Sequence, residues 1–163
     1  MAYYSIFPEK DTTIYSHPDR IHMNTGKDEV LELVEEKATT VNIYYTSRIL
    51  IKFKNEEIRD VIQNKLTGSS KEVTPNTCEV TLNLFTGENK SLTQDHIIES
   101  FPLSASFDEG TQRYDANPPS ITTGSYQSAN GATWIHRTET TSSKWLTSSF
   151  GTGTTGSYSL QGG

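Results

Sequence analysis

Ser47-Arg48-Ile49-Leu50-Ile51-Lys52-Phe53-Lys54 is the stretch that decides how this chain folds. Ile49, Ile51 and Phe53 alternate with Leu50, Lys52 and Lys54, the period of two that a β-strand imposes because successive side chains point to opposite faces. Directly after it, Asn55, Glu56 and Glu57 open a segment whose apolar positions Ile58, Val61, Ile62 and Leu66 follow a 3.6-residue period. The spacing predicts one short helix over residues 56–66, with Asn55 as its cap, the two acids at the positive end of the helix dipole and Gly68 past its stop. A strand feeding straight into such a helix is expected to lay it across one open end of a sheet structure.

Working outward, Cys78, Val80, Leu82 and Leu84 alternate with Glu79, Thr81 and Asn83, which predicts a second long strand over 77–85. Shorter segments at 3–7, 12–16, 29–35, 96–103 and 132–136 are bounded by polar turns and complete a set of seven. The predicted fold is therefore all-β, a jelly-roll β-sandwich with one short helix. The chain has 163 residues, of which 33% are hydrophobic. That length suits one domain, but the apolar fraction lies well below the usual roughly 45–50%, so a thin core or one completed by neighbours is expected. After Arg137 roughly two-thirds of the residues are Ser, Thr or Gly, and the sequence runs to Gln161-Gly162-Gly163. Residues 1–150 are expected to form the sandwich, and 151–163 a Gly/Ser/Thr-rich tail or truncated end, with the C-terminal strands missing or supplied by another chain.

Charge and motifs exclude several classes. Fourteen Lys and Arg against twenty Asp and Glu leave a net charge of −6, the wrong balance for tracking phosphates, so no nucleic-acid partner is expected. The start, Met1-Ala2-Tyr3-Tyr4-Ser5-Ile6-Phe7-Pro8, has no secretory pattern, and the longest aliphatic run, Ile49-Leu50-Ile51, cannot span a bilayer. A soluble protein made in a cytoplasm, with no membrane partner, is expected. The single cysteine, Cys78, precludes an internal disulfide and reads as a small buried hydrophobe at a strand edge. Gly151-Thr152-Gly153-Thr154-Thr155-Gly156 spells G-x-G-x-x-G, but without a preceding hydrophobic strand or a following helix it is a flexible segment rather than a dinucleotide site. There is no G-x-S-x-G, and His17, His22, His96 and His136 show no metal-ligand spacing.

Two constellations carry binding chemistry. Asp108 and Glu109 in Phe107-Asp108-Glu109-Gly110-Thr111 are adjacent, so on a strand they would point to opposite faces and could not flank one glycosidic bond. In a loop they are either held by backbone hydrogen bonds or, with Asp115, donate oxygens to Ca²⁺, the one cofactor these residues suggest. Tyr114, Tyr126, Trp134 and Trp145 cluster late in the chain with Arg137. Aromatic faces beside polar groups can stack on sugar rings, which makes Tyr126, Trp134, Arg137 and Trp145 a candidate glycan site. The competing reading is a core role, favoured for Trp134 because it sits in an alternating segment.

Taken in order, Thr12-Thr13-Ile14-Tyr15, the Ser47-to-Phe53 strand with its Ile-bearing helix, the Cys78-to-Phe85 strand, Phe107-Asp108-Glu109-Gly110-Thr111, Gly131-Ala132-Thr133-Trp134 with Arg137, and Trp145 resemble the DNRLRE-type jelly-roll domain. The resemblance spans residues 11–150; its departures are Phe107 where that family usually has Trp, a longer Pro/Ser/Thr-rich insert over 115–128, and no closing strands after Trp145. It implies a carbohydrate-binding-module-like β-sandwich of secreted and surface proteins, acting by binding or scaffolding rather than by turnover. In style the chain is also similar to structural proteins of large tailed phages, especially marine contractile-tailed ones. The expectation from these resemblances is a non-enzymatic virion component of the tail, baseplate, fibre or neck. Its partners would be other virion proteins or copies of itself. The alternative is a carbohydrate-binding module for a host surface glycan.

Overall fold

The computed structural model describes residues 3–39, 42–66, 79–87, 97–103, 105–115, 130–139 and 143–145. The chain divides into two compact units, one made of Lys10–Lys52 and Pro102–Gly163, the other of Met1–Glu9 and Phe53–Phe101. Gly68, Cys78, His96, Tyr126 and the segment 151–163 lie outside the described residues.

Regular structure is mostly strand. Strands β1 (Pro8–Tyr15), β2 (Glu35–Lys37) and β3 (Tyr44–Phe53) form one small antiparallel sheet in the order β1-β3-β2. β3, which contains the alternating Ser47-to-Phe53 stretch, is the central strand. β2 runs antiparallel to it with Glu35 opposite Thr46, Glu36 opposite Tyr45 and Lys37 opposite Tyr44. With one short helix, the arrangement is all-β in class.

Several expected strands are not strands, each for a physical reason. Residues 3–7 are irregular, and the strand expected over 12–16 is β1, which begins earlier, at Pro8, a first-strand position where the missing N–H costs no ladder bond. The expected strand at 29–35 shrinks to Glu35–Lys37 because a side chain intervenes: the Val34 N–H donates to Ser47 Oγ at 2.8 Å, and that hydroxyl donates to the Glu32 carbonyl at 2.7 Å. Residues 132–136 contribute only an isolated bridge between His136 and Lys144, since the Ala132 and Thr133 N–H groups are drawn to the Asp108 and His136 carbonyls. Residues 79–86 and 97–103 have the predicted apolar positions but no ladder among the described residues, and lie exposed. Alternation gives a segment the capacity to be a strand; only a partner makes it one. Among the described residues the strands form this one three-stranded sheet.

In β3 the core residue comes from the face opposite the aliphatic trio. Leu50 is only 6% exposed and packs with Ile14, Phe107, Ala132 and Trp145, with Trp134 against the cluster, whereas Ile49, Ile51 and Phe53 are half-buried. Around this small apolar centre runs a buried polar seam of Thr12, Thr13, Asn24 and Thr25. Burial of such groups requires hydrogen bonds, and the threonines make them: the Thr25 N–H donates to Thr12 Oγ1 and to the Thr13 carbonyl, both at 3.2 Å, the Thr13 N–H to Thr25 Oγ1 at 3.0 Å, and the Glu32 N–H to Thr13 Oγ1 at 3.1 Å; among the described residues the Asn24 side-chain Nδ2 is buried without a partner.

Beside the seam, three backbones meet at glycines. Gly110 and Gly131 have φ of +92° and +121°, conformations that side chains rarely adopt. A Cβ on Gly110 would overlap the Asn24 amide, and one on Gly131 would overlap the Gly110 backbone. Asn24 locks this node in both directions: its N–H donates to Gln112 Oε1 at 3.0 Å, and its Oδ1 accepts from the Gln112 N–H at 3.2 Å.

In the other unit, helix α1 spans Asn55–Asp60 and continues as a π-helical turn over Val61–Leu66. The expected extent is observed, but the cap is Lys54 and not Asn55. β3 ends at Phe53, so the chain turns one residue early; Lys54, at φ −72° and ψ 118°, occupies the capping position without a side-chain bond. Glu56 and Glu57 occupy the first turn as the dipole favours, and Asn64 Nδ2 donates to Asp60 Oδ1 at 2.6 Å across one turn.

A candidate binding groove

The residues singled out from sequence serve mainly to close the core. Trp145 is 4% exposed, and its indole N–H donates to the Thr133 carbonyl at 2.8 Å, so its faces are inside the protein. Trp134 is half-buried, with the Arg48 guanidinium 4.8 Å from its ring centre; burial pulls the Arg48 pKa down. Arg137 donates from its guanidinium to the Ser106 carbonyl at 3.0 Å, its backbone N–H bonds the Ser143 carbonyl, and its carbonyl accepts from the Asp108 N–H. Trp134, Arg137 and Trp145 therefore share one turned segment, held as a clip on the core. Tyr126 lies outside the described residues.

The carboxylates do not converge either. Asp108 faces Lys10 at 4.0 Å, and Glu109 Oε1 accepts from the Asp11 N–H at 3.1 Å. Among the described residues no three His, Cys, Asp or Glu side chains gather as a metal site, so Asp108, Glu109 and Asp115 do not form the calcium cage suggested from sequence. The loop is held by hydrogen bonds, the other reading of the same residues.

The surface that does gather polar and aromatic groups lies elsewhere, in a groove of about 200 Å³ above the sheet. β3 supplies Tyr45 and Thr46, β2 supplies Glu36, the end of β1 supplies Tyr15, the following turn supplies His17 and Arg20, and Tyr114 comes from the distant loop. Register explains the first meeting, because Glu36 pairs directly with Tyr45. The turn is tied to the sheet by the Ser16 N–H donating to the Thr46 carbonyl at 2.9 Å and the Thr46 N–H to Ser16 Oγ at 2.7 Å. Within it, the Arg20 N–H returns to the His17 carbonyl at 2.8 Å.

Tyr114 is placed by a clamp of charge. Its N–H donates to Asp28 Oδ2 at 2.8 Å, and the neighbouring Arg113 forks onto both carboxylate oxygens of Glu29 at 3.2 and 3.3 Å. The bidentate contact lowers the Glu29 pKa and raises that of Arg113. Tyr114 is 42% exposed, its ring 6.0 Å from that of Tyr15 and tilted by 57°. The Arg20 guanidinium sits 5.6 Å from the Tyr114 ring centre and 3.5 Å from Glu36. The His17 ring meets Tyr45 edge-on at 4.7 Å, and its Nδ1 accepts from the Asp19 N–H at 3.2 Å. Neutral His17 thereby carries its proton on Nε2.

Tyr15 is buried and its hydroxyl donates to Glu32 at 2.9 Å. Burial first, then this bond and the nearby negative charge, push its pKa well above the ordinary tyrosine range. Because the folded-state pKa is raised above the unfolded value of 10.0, the associated stability is fully present below that pH and is lost as pH rises towards the folded pKa. Tyr15→Phe is therefore expected to melt below wild type at pH 8, by about 1 kcal/mol for the lost hydrogen bond, and to overtake it as pH passes 10. Thermal melts of the two proteins across pH 8–11 check this; a gap independent of pH would contradict it.

The groove residues gave weak signals in the sequence. Tyr114 stood out only as one of several late aromatics, and His17 only as one of four histidines without metal-ligand spacing. The adjacent Tyr44 and Tyr45 at the start of β3 were the usable hint, since alternation must send one of them to each face. Compared with known proteins, the chain matches no family model, no curated protein sequence and no solved structure.

Proposed function

We propose that this chain is a non-enzymatic structural protein of a tailed-phage virion. It belongs to the tail, baseplate, fibre or neck, is built on a jelly-roll plan of the DNRLRE type, and acts through surfaces that bind other virion proteins or copies of itself. The observation that supports this reading most directly is the exposure of strand-patterned apolar residues within one unit. Val80 is 90% and Phe85 94% exposed, and Leu82, Leu84, Ile97, Ile98 and Phe101 are also exposed. Apolar surface on this scale marks an interaction site, and segments with strand alternation but no ladder suit pairing with the edge of another chain. Peptide mapping of purified particles from the source lysate should find this polypeptide in stoichiometric amount; its absence would overturn the reading. Replacing Val80 and Phe85 together by Asp should abolish incorporation into particles while leaving the melting temperature of the isolated chain unchanged, because neither side chain is buried.

A second reading, a carbohydrate-binding module for a host surface glycan, is favoured by the groove of tyrosines and paired charges above the sheet. It assigns the work to different residues from Tyr126, Trp134, Arg137 and Trp145.

A further inference from the structure

We propose that the groove between Arg20, Glu36, Tyr45 and Tyr114 is a site for a single neutral pyranose unit, a deepening of the carbohydrate-binding reading and resting on it. Three observations carry it. The first is size: about 200 Å³ falls below the roughly 300–1,000 Å³ of sites for drug-sized ligands and suits one sugar ring. The second is chemistry. A pyranose has apolar C–H faces and a rim of hydroxyls that both donate and accept. Tyr45 and Tyr114 supply aromatic surface for the faces, and Arg20 with Glu36 supplies planar donors and acceptors for neighbouring hydroxyls.

The third observation is unmet hydrogen-bonding capacity. A guanidinium offers five N–H donors. The Arg20 side chain is only 18% exposed, yet among the described residues it makes one long hydrogen bond, to Glu36 at 3.5 Å, and its Nε is buried without a partner. A mostly buried cation so poorly satisfied is costly; Nε is enclosed by the protein, and only the part of the side chain left exposed to the groove can meet ligand hydroxyls. Neutrality follows from the surroundings: Glu36 already balances Arg20, Asp19 flanks His17, and Glu32 lies behind the Tyr15 hydroxyl. An anionic sugar would meet net repulsion.

Saturation-transfer NMR of the full chain with the methyl glycosides of glucose, galactose and mannose, and with methyl glucuronide, tests the assignment. At least one neutral glycoside should show transfer, and the glucuronide less. Tyr114→Ala should weaken binding roughly 2- to 10-fold, as expected for loss of an aromatic contact, and Glu36→Gln by about 10-fold or more. Tyr44→Ala removes an exposed tyrosine that stacks with Lys37 and lies outside the groove, so it should leave binding unchanged. No transfer from any neutral glycoside, stronger transfer from the glucuronide, or equal losses in Tyr44→Ala and Tyr114→Ala would each overturn the site. Glycan-array retention that survives both Tyr114→Ala and Glu36→Gln would preserve the carbohydrate-binding reading while overturning this location. Loss of all array binding by the unaltered chain would remove both.

Discussion

Gly131→Ala is expected to be among the most damaging single-methyl additions to this protein, lowering its stability by about 3 kcal/mol or more. Two costs combine. The φ of +121° lies where a side chain strains the backbone by about 1–3 kcal/mol. The new Cβ would also overlap Gly110 Cα and N and press on the Asp108 carbonyl. These are backbone atoms, so no rotamer change relieves the overlap, and overpacking adds about 1–3 kcal/mol. The Asp108 carbonyl cannot retreat freely, since it accepts the Ala132 N–H at 2.7 Å. Gly87→Ala is the matched control: its Cβ would meet nothing within 4 Å, so a change within about 0.5 kcal/mol is expected. Denaturant midpoints with unchanged slopes measure both. Equal midpoints for the two variants would show that the glycine node does not hold these backbones together.

Trp145→Ala should be comparably severe. The ring is 4% exposed within a cluster that, among the described residues, also contains Ile14, Leu50, Phe107 and Ala132, with Trp134 alongside. Truncating a buried large aromatic costs about 3–5 kcal/mol, a large share of the roughly 5–15 kcal/mol by which domains are stable. Trp145→Phe separates packing from hydrogen bonding: it keeps most of the ring but leaves the Thr133 carbonyl without its indole donor, at about 1–3 kcal/mol. Because the chain has two tryptophans, fluorescence of each variant reports Trp134 alone. The emission lost should be that of a water-excluded indole. If Trp145→Ala unfolds at the wild-type midpoint, the core does not depend on this ring.

Both residues show how differently the two levels of structure were legible. The Gly131-to-Trp134 segment and Trp145 stood out in the sequence, yet their chemistry was open between a sugar platform and a core. Aromatic side chains serve either purpose, and the deciding fact, the indole N–H on the Thr133 carbonyl, joins residues twelve apart through a turn. The acids Asp108, Glu109 and Asp115 were equally ambiguous, and among the described residues they gather into no group of three metal ligands. The groove was nearly invisible because its members come from β1, a turn, β2, β3 and a loop, and Tyr114 reaches the site through bonds to Asp28 across 86 positions.

Local pattern by itself determined the central strand over 47–53, the helix that follows it and the all-β class, because two- and 3.6-residue periods are properties of neighbouring residues. Only the tertiary structure decided which face of β3 is buried, that 79–86 has no ladder among the described residues, that 3–7 is irregular while the strand expected over 12–16 starts at Pro8, and that Arg20 meets both Glu36 and Tyr114. Strand pairing, positive φ at Gly110 and Gly131, and the satisfaction of buried donors all depend on partners far away in the chain, and a one-dimensional pattern carries no distance information of that kind.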